Sequence, residues 1–372
     1  MARNIAEIPV TEIVERVKAL SRAPRNSDTK IRGVVQDVYL REIPSKYDWN
    51  FLIASSGITT TPQYNTGTAS VNTGATSVVF SSDAVISSDM VGRKFNISGD
   101  GAIYSITSMS STTSCTINPP YHATQNASSN SYVIFQPIYT LAKDFERFPK
   151  PGGLYQQLGS QKKLLEEVQY RPYIDKFRIQ PADNPENCRV YGQDTAGNPQ
   201  LEIIPAPANQ DNYGYDYFRQ LRPLSETTSG TISQIQAGAT SVVGNNNTKF
   251  TEATTGDWFR VDALGTGADS MWYRIIAIQH DSSLTLATAF ANTAITSLAE
   301  YTIARAPEMP VRMHIAIVYG AIRALELDQT DDNFIYYHAQ YAQVLSDSKR
   351  IYMSRPYNQE ITGIQEEYLY RR

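Results

Sequence analysis

Histidine and cysteine, which supply many metal ligands and activated nucleophiles, are few and widely spaced in this chain. There are four histidines and two cysteines. His122, His280, His314 and His338 show no HxxxH spacing, and Cys115 and Cys188 form no CxxC pair. His314 and His338 fall in predicted helices, where packing or solvent contact is the usual role of a histidine. We therefore predict no metal site, no disulfide framework and no cofactor.

Acid–base and phosphate-binding chemistry is equally hard to place. Glu166-Glu167 and Asp331-Asp332 are adjacent carboxylates, whose side chains point in different directions on a helix or turn. No GxSxG motif is present. Gly99-Asp100-Gly101 and Gly265-Thr266-Gly267 lie between predicted strands, so we interpret them as hairpin turns and not as phosphate-binding loops. The sequence predicts a protein that is not an enzyme.

Tyrosine is unusually frequent, with 24 residues against 12 phenylalanines. Its apolar ring and polar tip suit surfaces that are buried against a partner. Seven tyrosines lie in the last predicted helix and the tail after Pro356: Tyr336, Tyr337, Tyr341, Tyr352, Tyr357, Tyr368 and Tyr370. The tail from Tyr357 to Arg372 has no helical stripe. An arm that orders on a neighbouring molecule and a disordered terminus are both open interpretations.

The chain contains an internal duplication. Residues 74–79 and 238–243 both read Gly-Ala-Thr-Ser-Val-Val, and the likeness continues to Tyr132-Val133-Ile134 and Tyr301-Thr302-Ile303. Each copy consists of short β-branched and aromatic runs bounded by Gly, Ser and Asn, which predicts a small antiparallel sandwich or barrel. We interpret the two β modules as stability or spacing elements, with a ligand-binding role as the alternative.

Outside the modules the patterns predict helices and a small β subdomain. Predicted helices cover residues 11–21, 28–43, 310–328 and 332–353, and Pro44 is predicted to end the second. The segment between the modules predicts a β-hairpin around Gly197-Asn198-Pro199. We therefore predict an α+β multidomain fold, in which the N- and C-terminal helices form a bundle with a small β subdomain and two homologous all-β modules are inserted.

The predicted segments follow from this pattern. They are 1–64 (N-terminal helical part of the core), 65–136 (first β module), 137–227 (central core segment with the hairpin), 228–306 (second β module), 307–353 (C-terminal helical hairpin) and 354–372 (extended C-terminal arm).

The overall charge and hydropathy exclude two classes of function. A formal charge of −4 gives no support to a protein that grips nucleic-acid phosphates over its whole surface. The longest apolar run is far shorter than the roughly 20 residues of a membrane helix. Met1 to Pro9 lacks the apolar core of a secretory signal. We expect no membrane association, and assembly in the cytosol.

The segments outside the modules resemble the head-to-tail connector proteins of tailed bacteriophages, the adaptors that form a ring beneath the portal. The resemblance rests on the order of segments over roughly half of the chain. These segments are Trp49-Asn50-Phe51-Leu52, Leu165-Glu166-Glu167-Val168 with Tyr170-Arg171, Cys188 to Gly192 with Leu201 to Pro207, and the closing helical pair with Tyr336, Tyr341 and Leu345. The modules resemble Ig-like or small-barrel insertions of virion proteins, which adaptors commonly lack.

This resemblance implies a structural role in the virion. The chain would form a homo-oligomeric ring, twelvefold by this likeness, that joins the portal to a tail or neck protein. Genomic DNA would pass through its channel without specific binding, and assembly would occur in the cytoplasm of a bacterial host. The C-terminal arm would reach the portal or a neighbouring subunit, with Tyr352, Tyr357, Ile361, Tyr368 and Tyr370 as the predicted partner contacts.

Two other functions stay open. One is a different virion role, as a baseplate, tail-fibre attachment or capsid-decorating protein. The other is a carbohydrate-binding protein, in which exposed aromatic residues such as Trp258, Trp272 and Tyr121 stack on sugar rings. Trp258 aligns with Lys94 and Trp272 with Ile103, so the two copies do not share an aromatic site.

Overall fold

The computed structural model describes residues 7–21, 27–150, 152–158, 161–168, 181–245, 247–262, 271–296, 298–326 and 332–353. The chain divides into two compact units. The first unit comprises Met1–Leu52 and Leu221–Arg372, and the second comprises Ile53–Gln220. The predicted combination of helices with all-β sheets is confirmed at this coarse level.

The described part of the first unit contains five α-helices. They are α1 (Val10–Leu20), α2 (Asp28–Asp37), α3 (Ile43–Lys46), α4 (Val311–Leu325) and α5 (Asp332–Tyr352). Helix α4 contacts α1, α2 and α5. It buries apolar residues on most of its circumference, including Met313, Ile317 and Ile322, so it forms the centre of this helical packing.

A π-helix at Val38–Glu42 joins α2 to α3 without a break in the helical path. The predicted end of the second helix at Pro44 is therefore wrong, since the chain stays helical to Lys46. Pro44 lies in the first turn of α3. It lies just after the π-helix, whose wider turn interrupts the regular α-helical hydrogen-bond pattern before the proline.

Gly320 allows three helical segments to approach closely. A Cβ at this position would lie 2.8 Å from Val38 Cγ1 and 3.1 Å from Tyr341 Cε2. Real Cβ contacts are longer than this, and both neighbours are stiff side chains in a buried site.

We expect Gly320→Ala to lower the free energy of unfolding by about 1 to 3 kcal/mol, because overpacking outweighs the helix propensity of alanine. Gly33 is the matched control. It lies in α2, and a Cβ added there meets no heavy atom within 4 Å. Gly33→Ala should stabilise the protein by up to about 1 kcal/mol. Urea unfolding of both variants measures the difference, and equal effects of the two substitutions would refute the steric argument.

The described residues of the second unit form two sheets. Its strands are β1 (Ile53–Thr59), β2 (Ala69–Val71), β3 (Ser77–Phe80), β4 (Lys94–Ile97), β5 (Tyr104–Ser111), β6 (Ser114–Asn118), β7 (Ala127–Asn130), β8 (Tyr132–Phe135), β9 (Ile138–Thr140), β10 (Phe145–Arg147), β11 (Gly153–Leu158), β12 (Gln161–Glu167), β13 (Asn187–Gln193), β14 (Pro199–Ile204) and β15 (Asn212–Arg219). One sheet has the order β1-β15-β11-β12-β13-β14-β9, with β10 beside β15. The other, module 1, has the order β7-β2-β3-β6-β5-β4-β8.

The third sheet, module 2, belongs to the first unit. Its strands are β16 (Glu226–Thr227), β17 (Ile232–Ile235), β18 (Ser241–Gly244), β19 (Trp258–Val261), β20 (Tyr273–His280), β21 (Ser283–Leu286) and β22 (Tyr301–Ala304), in the order β16-β22-β19-β20-β21-β18-β17.

The two modules repeat one another at the level of single hydrogen bonds. Gly74 and Gly238 both have positive φ, and their amides donate to Tyr121 O and Phe290 O, respectively. The hydroxyl of Tyr132 donates to Thr66 O at 2.6 Å, and that of Tyr301 donates to Ser229 O at 2.5 Å. These paired bonds define which residues of the two modules are structurally equivalent.

Candidate partner-binding surface

An aromatic cluster surrounds the C-terminal end of α5 in the first unit. The ring of Tyr352 lies 6.3 Å from that of Phe51, Phe51 stacks 5.7 Å from Trp49, and Trp49 meets the edge of Tyr47 at 5.2 Å. These centroid distances are typical of favourable aromatic pairs. The cluster therefore fixes the end of α5 against the segment that follows α3.

Trp49 anchors this cluster. Its side chain is fully buried, and its indole Nε1–H donates to Ile43 O at 2.8 Å. Lys349 adds a cation over the ring of Tyr47, with its Nζ 4.6 Å from the centroid. The side chain of Ile351 is 47% exposed beside this packed set. The surface thus combines a rigid aromatic base with an exposed apolar residue, which is the composition of many protein interfaces.

Of the five predicted partner contacts, Tyr352 is the one that the structure describes, and it joins the aromatic cluster. Tyr357, Ile361, Tyr368 and Tyr370 lie outside the described residues. Its direct partner is Phe51, and Trp49 and Tyr47 extend the cluster; none of these three was predicted as a site residue. The Trp-Asn-Phe-Leu string was the available signal, but nothing local in it points to a helix some 300 residues away.

Two tyrosines of the last helix pack inside the first unit and not on a partner. Tyr337 and Tyr341 are buried on the face of α5 that contacts α4. The ring of Tyr337 lies 5.7 Å from that of Tyr319, and Arg323 lies over the ring of Tyr341. The apolar residues Ile335 and Ile351 of α5 are exposed.

A second concave surface lies beside the π-helix. It is a groove of about 320 Å³ between α2, the π-helix and the end of α4. Asp37, Arg41 and Glu42 give it charged walls, and Arg323 holds the Glu42 carboxylate with two bonds of 2.6 and 2.7 Å. π-Helices often occur at functional sites, so this groove is a further candidate for partner contact.

The titratable side chains offer little chemistry. Burial raises the pKa of the Cys115 and Cys188 thiols to about 12, which keeps both protonated at neutral pH. In the described ranges, no group of three or more His, Cys, Asp or Glu side chains could hold a metal ion. None of the described helices is long and apolar enough to cross a membrane.

His314 has a structural role. Its side chain is fully buried in α4, where Nδ1 accepts the Ile8 amide at 3.0 Å and Nε2 lies 3.0 Å from Met309 O. Because Nδ1 must accept, the ring is neutral and its Nε2–H donates to the carbonyl. The histidine thus ties the segment before α1 to α4.

This bond predicts acid sensitivity. Desolvation lowers the pKa of His314 from its ordinary 6.5, so the unfolded chain binds the proton more readily than the folded one. The stability it contributes is complete above pH 6.5 and is lost as the pH falls toward the folded-state pKa, by at most about 1.4 kcal/mol per pH unit. Urea unfolding between about pH 5 and 7 measures this slope.

Two variants isolate the contribution of His314. His314→Gln should flatten the slope of stability against pH, whereas His122→Gln, which changes an exposed histidine of module 1, should leave it intact. The same slope in His314→Gln as in the parent protein would show that another group titrates.

The aromatic residues expected to stack on sugars are already engaged or covered. Trp258 Nε1 donates to Glu7 Oε2 at 3.0 Å, and the guanidinium of Arg260 lies 4.6 Å from the ring centre of Trp272. Tyr121 is 3% exposed. These three residues therefore form no open stacking platform.

Comparisons with known proteins assign this chain to no family. No protein-family model matches this sequence, and no curated protein sequence matches it. Among solved structures, the chain is weakly similar to translation elongation factor SelB from Methanococcus maripaludis in complex with the GTP analogue GppNHp. The similarity has 8% sequence identity and a TM-score of 0.16, and covers 68% of this chain and 64% of that factor. It carries no argument about fold or function.

Proposed function

We propose that this protein is a structural virion component of a tailed bacteriophage, a head-to-tail adaptor that forms a ring under the portal. The resemblance in segment order is the observation that carries the proposal. In this proposal the N- and C-terminal helices act as one helical bundle that makes the ring. The partners are further copies of the chain, a portal protein and a tail or neck protein.

The helical contacts support a common ring-forming element. Helices α1 and α2 from the start of the chain pack on α4 from its end. The Ile8–His314 hydrogen bond and the Arg323–Glu42 ion pair join the same two ends. A ring subunit needs such a rigid element, because small shifts at each interface add up around a closed ring.

The charge of the chain supports a role as a conduit. With a net charge of −4, the protein has no excess of cations with which to hold DNA phosphates. DNA would therefore slide through the channel without lasting contacts.

The aromatic cluster supports the C-terminal arm as the partner-binding element. The cluster fixes the end of α5, so residues 354–372 start from a rigid base. An arm whose attachment point is rigid loses less conformational entropy on binding than an arm whose attachment point also moves. Tyr357, Tyr368 and Tyr370 supply amphipathic anchors for the bound arm, and Ile361 supplies an apolar one.

Deletion of residues 354–372 tests this proposal. We expect the shortened protein to fold with an unchanged unfolding midpoint, and to lose ring assembly and co-sedimentation with a candidate portal protein. The reason is that the deletion removes the anchors and leaves the described contacts of Tyr352 in place. Sedimentation velocity with and without the portal measures the loss.

A full-length variant separates the anchors from the length of the arm. Serine at Tyr357, Ile361, Tyr368 and Tyr370 keeps the chain length and should reproduce the deletion. Serine at the exposed Tyr336 of α5 should leave assembly unchanged. Normal assembly of the shortened protein would refute the role of the arm.

A further inference from the structure

The outer face of β19 and β22 in module 2 is a docking surface that the chain itself occupies. Glu7 accepts the indole N–H of Trp258, and Thr11 donates to Glu226 at 2.9 Å. Arg260 lies 3.8 Å from Glu15. Thr11 and Glu15 are one helical turn apart on α1, so this face holds a helix through ionic and polar side chains.

The equivalent face of module 1 consists of β4 and β8. Ser98 N donates to Ser131 O at 2.8 Å, and Asp262 N donates to Glu300 O at 2.9 Å, which makes these two pairs equivalent. The Tyr64–Ile134 bridge matches the pairing of Thr227 with Ile303. Glu226, Arg260, Asp262 and Glu300 of module 2 thus correspond to Gln63, Asn96, Ser98 and Ser131 of module 1. At these four positions module 2 has charged side chains and module 1 has uncharged amides and hydroxyls, whereas Lys94 of module 1 is equivalent to Trp258 of module 2.

This face of module 1 forms a polar cleft. The cleft has a volume of about 310 Å³ and is lined by Gln63, Asn65, Asn96, Ser98 and Ser131, with Tyr132, Val133 and Pro181. None of these lining residues is charged. Its volume lies at the lower end of the range of small-molecule sites in proteins.

Asn96 is the fixed centre of the cleft. The residue is only 9% exposed, and its Nδ2 donates to Asp100 O at 3.0 Å and to Ala102 O at 2.7 Å. Both amide hydrogens are therefore used by the turn between β4 and β5, and the side chain cannot flip without losing two bonds. No donor among the described residues reaches Asn96 Oδ1. This oxygen is held in place by the two Nδ2 bonds and is accessible to a ligand in the cleft.

We propose that this cleft is a binding site for a neutral saccharide. Amides and hydroxyls supply both donors and acceptors, which is what the hydroxyl groups of a sugar require. An anion or cation would find no opposite charge in this lining, and a helix such as α1 would lose the ionic contacts that hold it on module 2. Binding uses residues of module 1 that are independent of the C-terminal arm.

The test is isothermal titration of the full-length protein with two neutral trisaccharides, maltotriose and triacetylchitotriose. We expect saturable binding of at least one of them. Gln63→Glu and Ser98→Asp each introduce the carboxylate side chain that module 2 has at the equivalent position. Each should weaken binding at least tenfold, because the new carboxylate is desolvated by the ligand without a cation to pair with. Gln236→Glu, an exposed change in module 2, is the matched charge control and should bind like the parent.

Three results would overturn the proposal. The first is the absence of saturable binding of either trisaccharide at about 10 mM, a concentration that detects even millimolar affinity. The second is saccharide binding that survives both Gln63→Glu and Ser98→Asp, since the site would then lie elsewhere. The third is preferential binding of a neutral, Ser- and Asn-rich helical peptide at the cleft, which would make it a peptide-docking surface.

Discussion

Arg305→Met should destabilise the first unit by about 3 to 5 kcal/mol, one of the largest losses expected from a single substitution in this chain. Arg305 Nε lies 3.1 Å from Asp257 Oδ1, and the two side chains are 11% and 4% exposed. Methionine keeps much of the side-chain volume but removes the cation. Asp257 would then be a buried carboxylate without its ionic partner, which costs far more than the loss of an exposed ion pair.

The position of this pair increases the expected loss. Arg305 also donates to Pro223 O at 2.9 Å and to Thr254 Oγ1 at 3.1 Å. It therefore links the segment that enters module 2 with β22, the strand that leaves it. The variant should loosen the base of the module as well as lower its stability. Urea unfolding followed by tryptophan fluorescence measures this effect, since Trp258 adjoins Asp257 in the chain.

Two controls identify the cause. Asp257→Asn combined with Arg305→Met removes both charges and should recover part of the loss, because no buried charge remains. Arg16→Ala breaks an exposed pair with Glu12 and should cost less than about 1 kcal/mol. A loss below about 1 kcal/mol for Arg305→Met would contradict the account of this pair.

Trp49→Ala should lower the free energy of unfolding by about 3 to 5 kcal/mol. Trp49 is among the largest fully buried side chains, and it contacts the rings of both Tyr47 and Phe51. Its removal leaves a cavity and takes the indole donor from Ile43 O. The end of α5 would lose its aromatic base, so cleavage by protease near Tyr352 should become faster as well.

Trp49→Phe is the graded control for this prediction. Phenylalanine keeps an aromatic ring in the cluster and loses the Nε1 hydrogen bond, so its cost should be clearly smaller than that of alanine. Chemical denaturation and limited proteolysis of both variants give the comparison. Equal stability of Trp49→Ala and the parent protein would show that the cluster does not hold α5.

The repeated string of the two modules predicted much of the β structure. Buried and exposed residues alternate along a strand, and this alternation indicates the register from the sequence. Val78 on β3 and Val242 on β18 are buried at equivalent positions. The helices of the first unit were predicted by apolar spacing in the same way. The error at Pro44 arose because the change from α- to π-helix leaves no periodic signal in so short a segment.

The candidate surfaces were harder to predict because they depend on contacts between distant segments. Ile8 meets His314, and Phe51 meets Tyr352, yet neither pair has a local pattern. The alignment of the modules placed Lys94 against Trp258, but only the structure shows that α1 covers one of the two equivalent faces. A sequence pattern indicates which face of a helix or strand is buried. It does not indicate which partner covers that face.

The mass and shape of the purified full-length protein, alone and mixed with a candidate portal protein, distinguish a ring subunit from a monomer. Sedimentation velocity gives the mass, and negative-stain images give the symmetry. We expect a closed ring, formed either by the protein alone or on the portal. A stable monomer that ignores the portal would contradict the adaptor function.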